Sequence, residues 1–149
     1  MRQPVFAPAG SDVPLAPWGL RALGAVADGV ILGLLTYAIA LVTGVKGRYS
    51  FFYLDLGLRF AYSWALLVGW GHTLGMALVH LRAVDALEGR SPLSPGRAAI
   101  RSAMGGLLTV VPVGALIDLL WPLWDPRNQT IHDKVAGTVV LREPAPPAS

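Results

Sequence analysis

The chain has 149 residues, room for one domain, and 54% of them are hydrophobic against 14% charged, far below the roughly 25% charged of average soluble domains. That balance excludes an ordinary soluble globule and points to a membrane protein. The net charge of +3 reflects scarce carboxylates, so it describes no nucleic-acid-binding face, and with no cysteine the chain has no disulfides, thiolate metal sites or cysteine nucleophiles.

Residues 1–16 carry Pro4, Pro8 and Pro14 with Gly10 and Ser11. This composition buries little and predicts a disordered N-terminal tail, with no apolar core of a signal peptide. Ordered structure is expected from Pro17, which suits a first helical turn, with Trp18 at head-group level. Leu20 to Val42 then supplies 23 residues. At about 1.5 Å per residue that is enough for the hydrocarbon core, and it predicts a first transmembrane helix. Gly44, Lys46, Gly47 and Arg48 interrupt the run, and Phe51 to Trp70 predicts a second span flanked by Tyr49, Tyr53 and Trp70.

From Val79 to Asp85 apolar and polar residues alternate, which predicts a short strand outside the bilayer; a helix over Leu74–Leu87 is the weaker alternative. Ser94-Pro95 is a helix start, and the apolar stretch Ala98 to Trp124 follows. Gly105, Gly106, Pro112 and Gly114 make this third segment either one kinked span or a re-entrant pair of half-helices. Cation placement favours the re-entrant form. It puts nine cations (Arg2, Arg21, Arg82, Arg90, Arg97, Arg101, Arg127, Lys134 and Arg142) on one side, against Lys46 and Arg48 on the other. Both termini would then be cytoplasmic, and Val79–Asp85 could pair with Thr138–Leu141.

Three blocks resemble the RDD family of integral membrane proteins. They are Arg21 with Asp28 in the first helix, Gly71-His72-Thr73-Leu74-Gly75-Met76 leading into Leu81–Asp85, and Asp125 to Val140 with Asp133. The resemblance spans roughly Pro17 to Leu141 and maps the family's name-giving residues to Arg21, Asp28 and Asp133. Met76 and His72 depart from the lysine and glutamine usual in the family. The implied fold is an all-α polytopic membrane protein over 17–143, with two clear transmembrane helices, a third apolar segment, a small cytoplasmic strand pair and a disordered tail over 144–149. The implied activity is transport of a small ion or solute, such as cation/proton exchange, at a cell membrane, the bacterial inner membrane being the expected one.

The candidate site residues are Arg21, Asp28, Arg59, Asp118, His132 and Asp133. A carboxylate within a span costs on the order of 3 kcal/mol, so Asp28 needs a reason: either it is the intramembrane site of transport, paired with a cation or releasing its proton when a cation arrives, or it is a structural contact that fixes helix packing. Arg59 at similar depth is its candidate partner, although Asp55, four residues earlier, can pair with Arg59 along one helix. Arg21 reads as an interfacial anchor or as a fixed cation biasing Asp28. Thr130 and Asp133 have the spacing of a helix cap closed by Gly137; the functional alternative makes His132 and Asp133 a proton-handling pair. Asp118 is a candidate lining group of the same path. No catalytic triad, metal-ligand spacing or cofactor motif is present, so no enzyme, metal or cofactor is expected. The expected partners are the lipid bilayer, anionic head groups, further copies of the chain and a protein at the cytoplasmic face. The rival to transport is a non-transporting scaffold in which the arginine and aspartates are structural.

Overall fold

The structure is a computed structural model that describes residues 13–143. Most of the predicted N-terminal tail (1–12) and the predicted C-terminal tail (144–149) lie outside the described residues. Two long helices dominate: α1 (Trp18–Thr43) and α2 (Arg48–Gly69). Both are long and apolar enough to cross a membrane. Gly44 ends α1 in the left-handed conformation that glycine adopts without a Cβ clash, and its N–H caps Ala40 O.

The outer face of α1 is apolar. Val26, Val30, Leu34 and Leu41 form an exposed stripe at helical spacing, while Gly24, Leu32, Thr36 and Ala40 face inward. Branched apolar groups on the outer face, opposite a buried face of mostly small or polar residues beside Leu32, suit a helix solvated by lipid.

The chain between Gly71 and Asp85 divides differently from the sequence expectation. Leu74–Leu78 is a short helix, α3, capped by the Thr73 hydroxyl on Met76 N, and the strand β1 is confined to Leu81–Asp85. His80, at a φ of 54°, turns the chain between them. The end groups of α3 are satisfied by side chains from other helices, a stabilisation that alternation along the sequence does not register.

The third apolar segment is two helices, α4 (Pro95–Val110) and α5 (Pro112–Leu120), followed by a 3₁₀ turn at Trp121–Leu123. Val111 is extended, because the residue before a proline is kept out of the helical region, and there the chain doubles back. Ser94 caps α4, whose first carbonyl, Pro95 O, accepts from Trp64 of α2 at 3.1 Å. The far end of α5 returns to the start of α1, where Trp18 Nε1 donates to Leu119 O at 2.9 Å. Both ends of the segment therefore lie at the same end of the helix pair.

That end carries a compact layer. The helix α6 (Ile131–Ala136) precedes β2 (Thr138–Arg142), which pairs antiparallel with β1 in the register Ala83 to Val140. Residues expected to belong to the tail extend the layer: Ala16 N donates to Val140 O at 2.9 Å and Arg142 N to Pro14 O at 2.9 Å. Ala16, Leu67, Met76, Leu81, Ala83 and Val140 form the buried core beneath it.

Candidate functional site

Asp133 is the node on which the layer and the helices meet. It is fully buried in α6, which opens on a reciprocal capping box: Thr130 Oγ1 accepts from Asp133 N, and the Asp133 carboxylate accepts from Thr130 N. The carboxylate also pairs with Arg21 from α1, with Arg101 Nε from α4 at 2.8 Å, and accepts from Thr138 Oγ1 at 3.1 Å. Burial by itself would push this carboxyl upward. The charge of Arg21 and then that of Arg101 outweigh it and hold the group well below the usual carboxylate range. Arg21 is thus a buried ion-pair partner and not the snorkelling interfacial anchor; its side chain is 8% exposed.

Asp28 receives a different set of partners. Oδ1 accepts from Tyr62 Oη at 2.5 Å and Gly75 N at 2.8 Å, and Oδ2 accepts from the Thr73 hydroxyl at 2.5 Å. Tyr62 Oη in turn accepts from Leu74 N at 3.0 Å. One carboxylate in α1 therefore binds α2 through Tyr62 and holds the first turn of α3. Three donors satisfy the carboxylate without a cation, and the Asp28–Arg59 pair does not form.

Arg59 instead pairs with Asp55 Oδ2 through Nε at 2.6 Å, in the favourable acid-then-base order along α2. Asp55 also accepts from the wholly buried Thr36 of α1 at 3.0 Å, so this ion pair ties the two long helices together. His132 likewise takes another partner than its sequence neighbour. Its Nδ1 lies 2.6 Å from Asp118 Oδ2, and its backbone N–H donates to Asp118 Oδ1 at 3.1 Å, whereas Nε2 is 3.9 Å from Asp133. Asp118, whose depth was open in the sequence, is thereby placed against α6 near the layer.

A cavity of about 390 Å³ lies between α1, α2, α4 and α5, within the size range of small-ligand sites. It reaches from Leu81 and Val140 of the strand layer to Leu32 and Arg59 of the long helices. Five of the six candidate residues, Arg21, Asp28, Arg59, Asp118 and His132, line it; Asp133 stands behind the wall, bonded to Arg21. The arrangement can hold a small polar solute or ion among fixed charges of both signs.

Thr73 and Gly75 belong to a family-like block of the sequence and Arg101 to its topology cations, but none of the three, nor Tyr62, is among the candidate site residues. Arg101 carried a signal, as a cation six residues into an apolar helix. The hydroxyls of Tyr62 and Thr73 did not, because the types are common at membrane interfaces. Gly75 is required by proximity: a Cβ there would collide with Gly24 O and lie 2.7 Å from Asp28 Cγ.

Residues 15–137 match the RDD family. No curated protein and no solved structure matches the chain.

Proposed function

The chain belongs to the RDD family, and on that premise we propose that it binds a small ion or solute in the interhelical cavity and moves it across the cell membrane. The observation that carries this reading is the meeting of Arg21, Asp28, Arg59, Asp118 and His132 on one cavity wall, from three separate stretches of sequence. Ionisable groups inside a membrane protein face such interiors and mark solute or proton paths. In this reading α1 and α2 span the bilayer, the α4–α5 pair dips in and returns, and the strand layer and both termini are cytoplasmic, in keeping with the cation excess on that side.

In this reading Asp28 is a fixed group, because three donors from α2, Thr73 and α3 already hold its carboxylate. In this reading the proton-handling pair is His132 with Asp118, because the two side chains meet at 2.6 Å and both line the cavity. No enzymatic step is part of the proposal. Two spans and a hairpin enclose little path, so the transporting unit is a homo-oligomer, with anionic head groups around its basic cytoplasmic rim.

The test is proton and alkali-cation flux in proteoliposomes with a trapped pH dye, comparing the native protein with His132→Gln and Asp118→Asn at equal folded incorporation. Native flux lost in both variants supports the reading. The second reading, a non-transporting scaffold that docks a protein on its cytoplasmic layer, is favoured by the purely structural bonding of Asp28 and Asp133. It gains if flux is absent throughout and a stoichiometric partner co-purifies.

A further inference from the structure

The charges on the cavity wall are unevenly committed. Both wall carboxylates are occupied: Asp28 by three donors, and Asp118 by the His132 ring and backbone N–H. The charge of Arg59 is matched by Asp55, which it meets through Nε. Arg21 and Arg101 share a single carboxylate, Asp133, so this buried triad carries one positive charge in excess.

Donors are also left over. Arg21 meets Asp133 and Thr130 through one terminal nitrogen, Nη2, and among the described residues no acceptor reaches its buried Nε or Nη1. Arg101 engages Asp133 through Nε, and its side chain, like that of Arg21, is 8% exposed. An unsatisfied donor on a buried guanidinium is costly, and a planar fork of such donors matches the oxygens of a phosphate or carboxylate. Ser63, whose hydroxyl accepts from Ser102 at 3.0 Å, adds a neutral donor to the same wall.

We infer that the cavity binds an oxyanion of phosphate type, held by the spare donors of Arg21 and Arg101. This names the ligand class of the cavity and rests on the proposal that the cavity is a binding site. The phosphate can be a free ion or the head group of an anionic lipid entering from the cytoplasmic leaflet; the recognising chemistry is the same. Asp133 positions both guanidiniums and does not touch the ligand.

The test is thermal unfolding of the full chain in nanodiscs. In phosphatidylcholine discs, inorganic phosphate is titrated against chloride at matched ionic strength; a second sample replaces half the lipid by phosphatidylglycerol without phosphate. A midpoint rising with phosphate identifies a free oxyanion, and a rise only with phosphatidylglycerol identifies a head group. No rise in either overturns the inference. Gly105→Leu puts a side chain into the cavity at a lining position where a Cβ meets only His132 Cγ, at 3.9 Å, and leaves the three side chains of the triad unchanged. It abolishes the rise if the site is the cavity, and a rise that persists overturns the assignment. Arg101→Lys keeps the charge but loses the fork, and weakens the binding by about tenfold, the equivalent of one charge-assisted hydrogen bond; unchanged binding in it also overturns the inference. Phosphate binding without flux leaves this site standing and removes transport. Flux without any anion effect removes the oxyanion and leaves transport.

Discussion

Arg21 and Asp133 stand 112 residues apart in the chain and are joined side chain to side chain, the carboxylate wholly buried and the guanidinium nearly so. The bond fastens the first turn of the first long helix to the helix that precedes the last strand. With Arg101 added, one aspartate organises α1, α4 and α6.

Asp133→Asn therefore strands two buried guanidiniums without a countercharge. The expected loss is about 3–5 kcal/mol, seen as a lowered unfolding midpoint or as failure to survive size exclusion in detergent. Adding Arg21→Met to Asp133→Asn recovers part of that loss, since it removes one of the uncompensated charges. Equal stability of Asp133→Asn and the native protein would refute the role given to the triad.

Acid should loosen the layer. Asp133 is held well below the usual range against the pull of burial. Asp85 and Asp125 are also lowered against burial, Asp85 by the backbone N–H groups of Glu88 and Leu87 and by Arg97, Asp125 by Lys134 and the N–H groups of Gln129 and Arg127. A carboxyl with a folded pKa below its unfolded value of about 3.9 stabilises fully above that pH, and the contribution fades as pH falls through the folded pKa. The unfolding midpoint is thus expected to fall steeply below about pH 4. A midpoint that is flat or rises from pH 6 to pH 3 would contradict this.

Tyr62→Phe removes the hydroxyl that bridges Asp28 and Leu74 N. The expected cost is about 1–3 kcal/mol, that of leaving buried partners unsatisfied. Asp28→Asn costs a similar amount, because one acceptor oxygen remains for three donors. In both variants a cysteine placed at exposed Leu78 labels faster, since α3 loses its anchor; unchanged labelling would mean that Asp28 does not hold α3.

Two glycines on α1 and α3 separate close approach from mere helix content. Gly75→Ala drives a Cβ into Gly24 O and to 2.9 Å from Asp28 N, so it should destabilise by about 1–3 kcal/mol or block accumulation. Gly29→Ala meets nothing within 4 Å and should be neutral or slightly stabilising. Equal midpoints for the two variants would disprove the packing of α3 on α1.

Some of this molecule is written locally. Leu20 to Val42 and Phe51 to Trp70 announce α1 and α2 by length and composition; the helices begin a few residues earlier, at Trp18 and Arg48, and end within one residue, at Thr43 and Gly69. Thr130, Asp133 and Gly137 announce the caps of α6 because capping is a contact between residues three or four apart. The Asp55–Arg59 pair is legible for the same reason.

The destinations of the remaining charges were not local. Depth arguments placed Arg59 opposite Asp28, yet depth fixes only one coordinate of a helix, and rotation about the axis gave Asp28 to Tyr62, Thr73 and Gly75. His132 was read against its neighbour Asp133, although adjacent residues on a helix do not face each other; Asp118, 14 residues earlier, is its partner. Arg101 looked like a topological cation until α4 brought it onto Asp133.

By itself the sequence determined the membrane character of the chain, its two long helices, the cap chemistry of the short one and which ionisable residues needed an explanation, all of which follow from composition and short-range periodicity. Only the tertiary structure decided which charge meets which, where the third apolar segment doubles back and that a cavity opens between the helices. Those outcomes depend on the relative rotation and approach of elements up to 112 residues apart, which a linear pattern does not encode.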